Sequence, residues 1–541
     1  MSDSDKILIG LTTTKEENFM DWFRQVIVKS QMILYSGING CYILLPNSYS
    51  LWEKIQEFVN KRLKKLGVKN CYFPLFATKE NLEREKNHLE GFDMETIWAT
   101  RYGDSELSVP LAIRPTSECI FYPTYSELIK SHRDLPLKFN QWANVVRWEV
   151  KDCVPFCRSK EILWSEVHNC FYDEREAHED IKQAIDLYTS VYQDILAVPV
   201  IRGRKSEREK FAGAEYTTSI ECYISGASKA IQAATAHHLG QNFSKIFNVQ
   251  VERPDGSKQF VYQNSWGIST RSLGVLIFIH ADNKGIVLPP RIAPTQVVII
   301  PCGLNTKTTP EVERSVMQMC DEIQSILESC SGLKHVHDKI PSNRADLYYK
   351  ITAEVDKRKN YSPGHKFNHW ELRGVPLRLE IGPKDIANGT VIACRRDTGE
   401  KITIKHSIVP YNDLHYGSEC VDFWRQIQAI LDSMQDDMFK KALDQQNSHI
   451  KVCNTIDSFN KVYEEKNNLM LCTWCESVEC ENDIVEESRE RGHSIKSLCI
   501  PFDQDMACKL TGNSSMVINE NSKCFWCNNK AKSYTLFGPS F

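Results

Sequence analysis

Two runs of the chain put charged side chains where a strand would bury them. In FNQWANVVRWEV (Phe139–Val150), Arg147 and Glu149 stand two residues apart. In EILWSEVHNCFY (Glu161–Tyr172), Trp164, Glu166 and His168 follow an i, i+2, i+4 pattern. Residues two apart share one face of a strand. Charge on a buried face is costly unless it is paired or liganded, so these positions imply either internal salt bridges or a charged ligand. A third run, AIRPTSE (Ala112–Glu118), sets the Thr116 hydroxyl two residues from the Glu118 carboxylate. Such a pair caps a helix or holds a cationic amine. QAATAHHLGQN (Gln232–Asn242) brings Gln232, Thr235 and the paired histidines His237 and His238 close to Gly240. Arg271 lies at the polar start of ISTRSLGVLIFI (Ile268–Ile279). There its guanidinium fork and the free N–H groups of a helix start suit an anion.

The elements that must hold these groups are legible in outline. Ser48–Leu66 has helical apolar spacing, with Ser48 or Ser50 as a cap and Gly67 as the stop. Val68–Phe76 reads as a strand whose Pro74 confines it to an edge or a bulge. The Arg147 and Glu166 runs form a long hairpin with Arg158 in its loop. A helix over Asp173–Val198 opens close to a capping box, with Asp173 and Glu176 three apart. Phe260–Gly267 reads as a strand leading into the Arg271 helix. Three prolines in LPPRIAPTQ (Leu288–Gln296) end this first region near Arg291. A buried strand (Gln296–Gly303), a helix (Pro310–Glu328) and strands at Pro376–Ile381 and Gly389–Arg395 then predict a small α/β domain. From Val409 an amphipathic helix carrying Trp424, Ile427, Ile430, Leu431 and Met434 leads into a cysteine-rich tail.

Composition bounds the alternatives. The 541 residues are 42% hydrophobic and 25% charged, with a net charge of −4, as in a soluble protein of several domains. That excludes a uniformly basic nucleic-acid coat but not a local basic face. Lys334–Lys405 is such a stretch, with 15 Lys/Arg against 9 Asp/Glu. The acidic run Glu476–Glu490 reads as solvated surface. The N-terminus lacks an apolar core and no apolar run approaches 18 residues, so we expect neither secretion nor a membrane partner. In a reducing compartment the 20 cysteines read as metal ligands or buried thiols. Eight of them fall between Cys453 and Cys527. Spacing alone pairs Cys472-x2-Cys475 with Cys524-x2-Cys527 in zinc-ribbon fashion.

The order of these runs resembles motifs 1, 2 and 3 of the class II aminoacyl-tRNA synthetases. RPTSE (Arg114–Glu118), NVVRWE (Asn144–Glu149), LWSEVH (Leu163–His168), HHLGQNFSK (His237–Lys245) and NSWGISTR (Asn264–Arg271) resemble the prolyl-tRNA synthetases of the eukaryotic/archaeal type. So do NHWELRGVPLRLEIGPKD (Asn368–Asp385), RRDTGEK (Arg395–Lys401) and YTLFGPSF (Tyr534–Phe541). HHLG superficially resembles a class I signature, but no KMSKS-like partner follows it. The resemblance implies three domains of α/β (α+β) class. Residues 1–291 would be an antiparallel-sheet catalytic domain, 292–407 an α/β anticodon-binding domain, and 408–541 a small zinc-binding α/β domain.

The resemblance also implies an activity: proline and ATP would give prolyl-adenylate, and proline would pass to tRNA(Pro). Arg147 would touch both the α-phosphate and the substrate carboxylate, and Arg158 and Arg271 would clamp the distal phosphates. Glu149 would lie near the adenine or a Mg²⁺ ion that arrives with ATP. Trp148, Ser159, Gln232 and Thr235 would complete the ATP site. Thr116 and Glu118 would accept from the proline ring nitrogen, with Trp164, Glu166, His168 and His237 as the pocket wall. The basic stretch would face tRNA, with Glu380, Lys384 and Arg396 as anticodon candidates. The family register assigns structural zinc to Cys475, Cys480, Cys524 and Cys527 rather than to Cys472. Motif 1 implies a homodimer, and the setting would be cytoplasmic, without a membrane or DNA partner. The C-terminus would fold back toward the active site, with the free carboxylate of Phe541 contacting the catalytic domain. The interval between Arg147 and Arg271 leaves no room for an editing insertion, so misactivation of alanine or cysteine is expected. Two alternatives are a catalytically silent tRNA-binding relative and another class IIa synthetase.

Overall fold

The computed structural model describes residues 10–88, 95–329, 350–406, 408, 418–465, 467–492 and 494–541. Part of the basic stretch, Lys334 to residue 349, and Cys330 therefore lie outside the described residues. Helix α1 (Phe19–Lys29) is capped by the Asn18 side chain, which accepts from the Asp21 N–H. Helix α2 (Pro46–Lys65) begins two residues before Ser48, with proline in its first turn and no side-chain cap. Ser48 is buried and donates to the carbonyls of Met32 and Leu45, so it packs and does not cap. The expected strand over Val68–Phe76 shrinks to β1 (Lys69–Asn70), an edge strand paired in parallel with Phe139 and Asn140. Pro74 lies beyond it, and its carbonyl accepts from Arg114.

Helix α3 (Glu118–Leu128) follows Ser117, which makes no side-chain cap bond. Thr116 and Glu118 do not cap it either; the Thr116 hydroxyl donates to the Glu118 carboxylate. The hairpin of β2 (Leu137–Val146) and β3 (Glu161–Phe171) sets Gln141 opposite Glu166 and Val146 opposite Glu161. β2 stops at Val146, so Arg147 and Glu149 sit in the connecting loop and not on a strand face. Helix α4 (Glu174–Ser190) is capped by Asp173, whose carboxylate accepts from the Arg175 N–H. Its stripe of Ile181, Ile185 and Tyr188 is buried, each contributing about 1.5–3 kcal/mol of transfer free energy. The helix then widens into one π turn, Val191–Ile195.

β4 (Ile201–Arg204), β5 (Tyr216–Ile224), β6 (Lys229–Gly240) and β7 (Tyr262–Ser269) extend the sheet antiparallel to one another. Ile268 and Ser269 belong to β7, so helix α5 begins later than expected and spans Arg271–His280. A second sheet carries β8 (Val297–Pro301), β9 (Ala353–Val355), β10 (Leu377–Ile381), β11 (Thr390–Arg395) and β12 (Lys401–Lys405), in the order β9-β8-β10-β11-β12. Helices α6 (Pro310–Ser329), α7 (Pro363–Arg373) and α8 (Pro383–Asn388) accompany it. Helix α9 (Ser418–Ser448) gives Phe423, Trp424, Ile427, Leu431 and Met434 to the core of this second sheet. One turn later its Met438 packs on Ala197 and Val287 of the first region.

The tail supplies β13 (Ile450–Cys453), β14 (Leu469–Trp474), helix α10 (Val478–Glu490), β15 (Lys496–Pro501) and β16 (Ser533–Gly538). These strands continue the large sheet. The full order is β13-β14-β16-β15-β4-β5-β6-β7-β3-β2-β1, joined where Ile500 pairs with Arg204 and Pro501 with Gly203. The acidic run in this tail is not wholly solvated: Glu481 is buried and accepts from Ser206 and Ser497. The last residue packs on the first region, on residues that do not line the cleft holding Arg147 and Arg271. The Phe541 N–H donates to the Ala230 carbonyl, and its ring stacks on Phe278 at 5.2 Å.

Candidate active site and metal centre

Strands β3, β5, β6 and β7 and the start of α5 surround a cleft of about 350 Å³. Nine of the expected residues line it: Thr116, Glu118, Arg147, Trp164, Glu166, Gln232, Thr235, His237 and Arg271. Gly267 forms part of its floor. A Cβ there would meet the Ser165 carbonyl at 2.8 Å, so glycine lets β7 approach β3.

Two arginines line the cleft. Arg147 is held by its Nε, which donates to the Pro115 carbonyl at 3.2 Å, and its guanidinium lies 5.4 Å from the Trp164 ring. Arg271 donates from Nε to Cys157 O at 3.1 Å and from Nη1 to Gln232 O at 3.0 Å. Backbone carbonyls thus orient both forks without neutralising them. Burial lowers the Arg271 value, a cost that a nearby anion would offset.

Two carboxylates also line the cleft, Glu118 and Glu166. Glu166 accepts from the Ser117 N–H at 3.0 Å and from Gln141 at 3.2 Å, and its Oε1 lies 3.0 Å from His168 Nε2. Burial pushes the Glu166 carboxyl up, but the His168, Ser117 and Gln141 contacts outweigh it and hold the value below the usual range. Glu118 goes the other way: burial raises it, only partly offset by His168, and the Glu166 charge adds to the rise. Two adjacent carboxylates with values driven apart make a site that a cation can complete. Burial, with Arg147 and His168, lowers His237 to about 3. Its imidazole is therefore neutral, with Nδ1 2.9 Å from the Thr217 hydroxyl.

Several expected residues lie elsewhere. His168 is not pocket wall; it is fully buried behind Glu166, its Nδ1 2.9 Å from the Tyr122 hydroxyl, and it orients that carboxylate. Ser159 lines a separate cavity of about 250 Å³ with Tyr42, Tyr49 and Thr270. Trp148 is 39% exposed, under the Lys160 ammonium, and Arg158 is exposed in the loop, so neither lines the cleft. Glu149 also lies off it, with one buried carboxylate oxygen unpartnered. Arg396 is not free for an anticodon: it is buried and both its terminal nitrogens donate to Asp282, at 2.6 and 2.7 Å. Glu380 already accepts from Arg378 and Lys401, while Lys384 is exposed on α8. Sequence reasoning missed Glu209, Phe211, Thr217 and Ser265, which also line the cleft. The first two stand in a Lys/Glu-rich segment that reads as solvated loop; Thr217 and Ser265 carry only strand alternation as a signal.

In the tail, Cys475, Cys480, Cys524 and Cys527 bring their sulfurs within 4.8 Å of one another. The Cys475–Cys527 and Cys480–Cys524 separations are 3.6 and 3.8 Å. Four thiolates at Zn–S distances of about 2.3 Å around a tetrahedral ion stand about 3.8 Å apart, so this set fits zinc. Cys472 lies on β14 opposite Cys453 and takes no part in the cluster. The ribbon spacing is thereby replaced by Cys475-x4-Cys480. Among the described residues, no helix is long and apolar enough to cross a membrane.

Three family models match successive parts of the chain: the class II core domain of tRNA synthetases (G, H, P, S and T) at residues 101–280, an anticodon binding domain at 296–410, and the C-terminal domain of prolyl-tRNA synthetase at 456–541. The bifunctional glutamate/proline--tRNA ligase of Mus musculus is 44% identical over 98% of this chain, which spans about a third (33%) of that relative. The proline--tRNA ligase of Encephalitozoon cuniculi is 41% identical, covering 99% of this chain and 100% of its own length. The crystal structure of prolyl-tRNA synthetase from Cryptosporidium parvum with L-proline and AMP superposes with a TM-score of 0.85 at 40% identity, covering 100% of this chain and 99% of that one. Cleft, domain order, cysteine cluster and relatives agree, and the chain belongs to the class IIa prolyl-tRNA synthetase family.

Proposed function

We propose that the chain is a proline--tRNA ligase. It activates L-proline with ATP, releasing pyrophosphate, and transfers proline to the 3′ end of tRNA(Pro). One observation carries this reading: a single cleft lined by both the Arg147 and Arg271 cations and the Glu118 and Glu166 carboxylates. A zwitterionic amino acid fits with its ammonium toward the carboxylates and its carboxylate toward Arg147. The proline ring nitrogen carries two N–H donors, which Thr116 and Glu118 can accept. Neutral His237 and the Trp164 ring offer flat faces to the pyrrolidine.

The carboxylate attacks the α-phosphorus in line with the leaving pyrophosphate. Both reactants are anionic, so catalysis is charge neutralisation and positioning. Arg147 bridges the carboxylate and the α-phosphate. Arg271, with the helix start behind it, takes the distal phosphates, joined by Arg158 when the loop is drawn in. Gln232 and Thr235 hold the nucleoside side. Glu149, with its unpartnered oxygen, meets the adenine or the Mg²⁺ that accompanies ATP, and Trp148 and Ser159 support that loop. The terminal ribose hydroxyl of tRNA then attacks the mixed anhydride, with AMP as leaving group. Lys384 and the neighbouring Glu380 are the candidates for anticodon contact. The working form is a homodimer in the cytoplasm.

Proline-dependent ATP–pyrophosphate exchange tests the reading. Exchange should be strongest with proline and weaker but measurable with alanine and cysteine, since a pocket separates near-isosteres by only about 1–3 kcal/mol. Exchange no greater with proline than without an amino acid would overturn it.

A further inference from the structure

The second histidine of the HHLG run has no part in the cleft. Successive residues of β6 face opposite sides of the sheet. His237 faces the cleft, and His238 faces α4 on the back. The His238 tautomer follows from its partner. Asn264 donates from Nδ2 to Ala177 O and to Asp180 Oδ2, at 2.7 and 3.0 Å, which leaves its Oδ1 as an acceptor. That oxygen lies 2.9 Å from His238 Nδ1, so Nδ1 carries the hydrogen. His238 Nε2 therefore presents a lone pair. It is fully buried and has no hydrogen-bond partner.

Three further ligand atoms converge on that nitrogen. Glu174 and His178, at i and i+4, share the face of α4 that meets β6. His178 Nδ1 is engaged by the Tyr216 hydroxyl at 2.7 Å, which turns Nε2 toward Glu174 Oε1 at 3.9 Å. The ligand atoms of Glu174, His178 and His238 lie within 4.8 Å of one another. Glu215 Oε2 lies 3.6 Å from His238 Nε2. The Glu215 carboxylate occupies the space a Cβ at residue 240 would need, and Gly240 has φ +55°. Lone pairs facing one another around a buried nitrogen are unfavourable until a cation joins them. Each imidazole also has its second nitrogen fixed by a neighbour, the arrangement usual for metal-bound histidine.

We propose that Glu174, His178 and His238, with Glu215 as fourth ligand, form a second metal site that binds a divalent transition ion of the zinc class behind the active-site sheet. Two imidazoles and carboxylates favour zinc, cobalt or nickel over magnesium. The ion would clamp the first turn of α4 to β5 and β6, on the far side of the strand that carries His237.

The test uses the full chain with its cysteine cluster loaded. After incubation with zinc chloride and exhaustive dialysis, zinc is counted per chain. The expected result is two for the unchanged protein and one for both His178→Ala and Glu174→Ala. Both side chains are half exposed and outside the cleft, so these variants should fold and keep pyrophosphate exchange. Cobalt gives a second readout: the extra equivalent adds visible d–d bands without the thiolate charge-transfer absorption of the cysteine cluster. One zinc per chain in the unchanged protein, or two in both variants, would overturn the proposal.

Discussion

At the scale of single residues, the cleft rests on two carboxylates whose values are driven in opposite directions. Glu166 is kept ionised by its donors, so the raised value of Glu118 governs how the site meets a cationic amine. A proline ammonium favours the ionised form of Glu118 and therefore lowers its value on binding. The sign follows by linkage: as pH falls through the raised value of the free site, protonated Glu118 competes with the amine and the KM for proline rises. The KM for ATP, set by Arg147 and Arg271, should stay flat over the same range. Glu118→Gln mimics the protonated form at every pH. It should weaken proline binding by about 3 kcal/mol, on the order of 100-fold in KM, and remove the slope. Exchange kinetics at varied proline from mildly alkaline to mildly acidic pH check this. A proline KM indifferent to pH in the unchanged protein would count against the role of Glu118. His237 adds no competing titration, since its value of about 3 keeps it neutral throughout.

At the scale of elements, the second sheet is tied to the first region by Arg396, which follows β11 and reaches Asp282 just beyond α5. Arg396 also donates to the Glu371 carbonyl at the end of α7. Arg396→Ala strips the buried half of this bridge and should cost about 2 kcal/mol, less than a fully buried pair because Asp282 is partly solvated. It should raise the KM for tRNA and leave pyrophosphate exchange intact. Asp282→Ala is the deciding partner. If Arg396 acts by joining domains, both variants shift tRNA charging alike; if it reads an anticodon base, only its own loss matters. This residue also shows where sequence runs out. Composition marks Arg396 as one cation of a basic stretch, but nothing local discloses an aspartate more than a hundred positions earlier. By contrast, the i, i+2, i+4 pattern of Trp164, Glu166 and His168 was legible because strand periodicity is local. Its layering, with His168 behind Glu166, was not, since that depends on Tyr122 from α3. Arg147 lines the cleft from the loop after β2 and not from a strand face, because the end of β2 is set by pairing with β3 and not by residue type.

At the scale of the whole molecule, the tail is an extension of the catalytic sheet and not an appendage. β15 pairs with β4, and side chains reinforce the seam: Lys205 donates to Glu221 and to the Leu498 carbonyl, Arg204 pairs with Glu476, and Ser206 donates to Glu481. Glu476 and Glu481 each directly follow a cysteine of the metal cluster, Cys475 and Cys480. Zinc held by that cluster would order α10 and its preceding turn, and the seam would pass that order to β4, next to β5, whose Thr217 lines the cleft. Structural zinc supplies folding free energy directly. Removing it should therefore loosen the shared seam as well as the tail. Cys480→Ser should bind no zinc at the cluster, lower the melting temperature and speed amide exchange in β15 and β4. Cys472→Ser, which alters a buried thiol beside Cys453 and outside the ligand set, should keep its zinc and protect both strands as before. Amide exchange on the two variants, with zinc counted in the same samples, separates the cases. Faster exchange confined to the tail of Cys480→Ser, with β4 still protected, would mean that the seam holds without the metal and that zinc serves the tail alone.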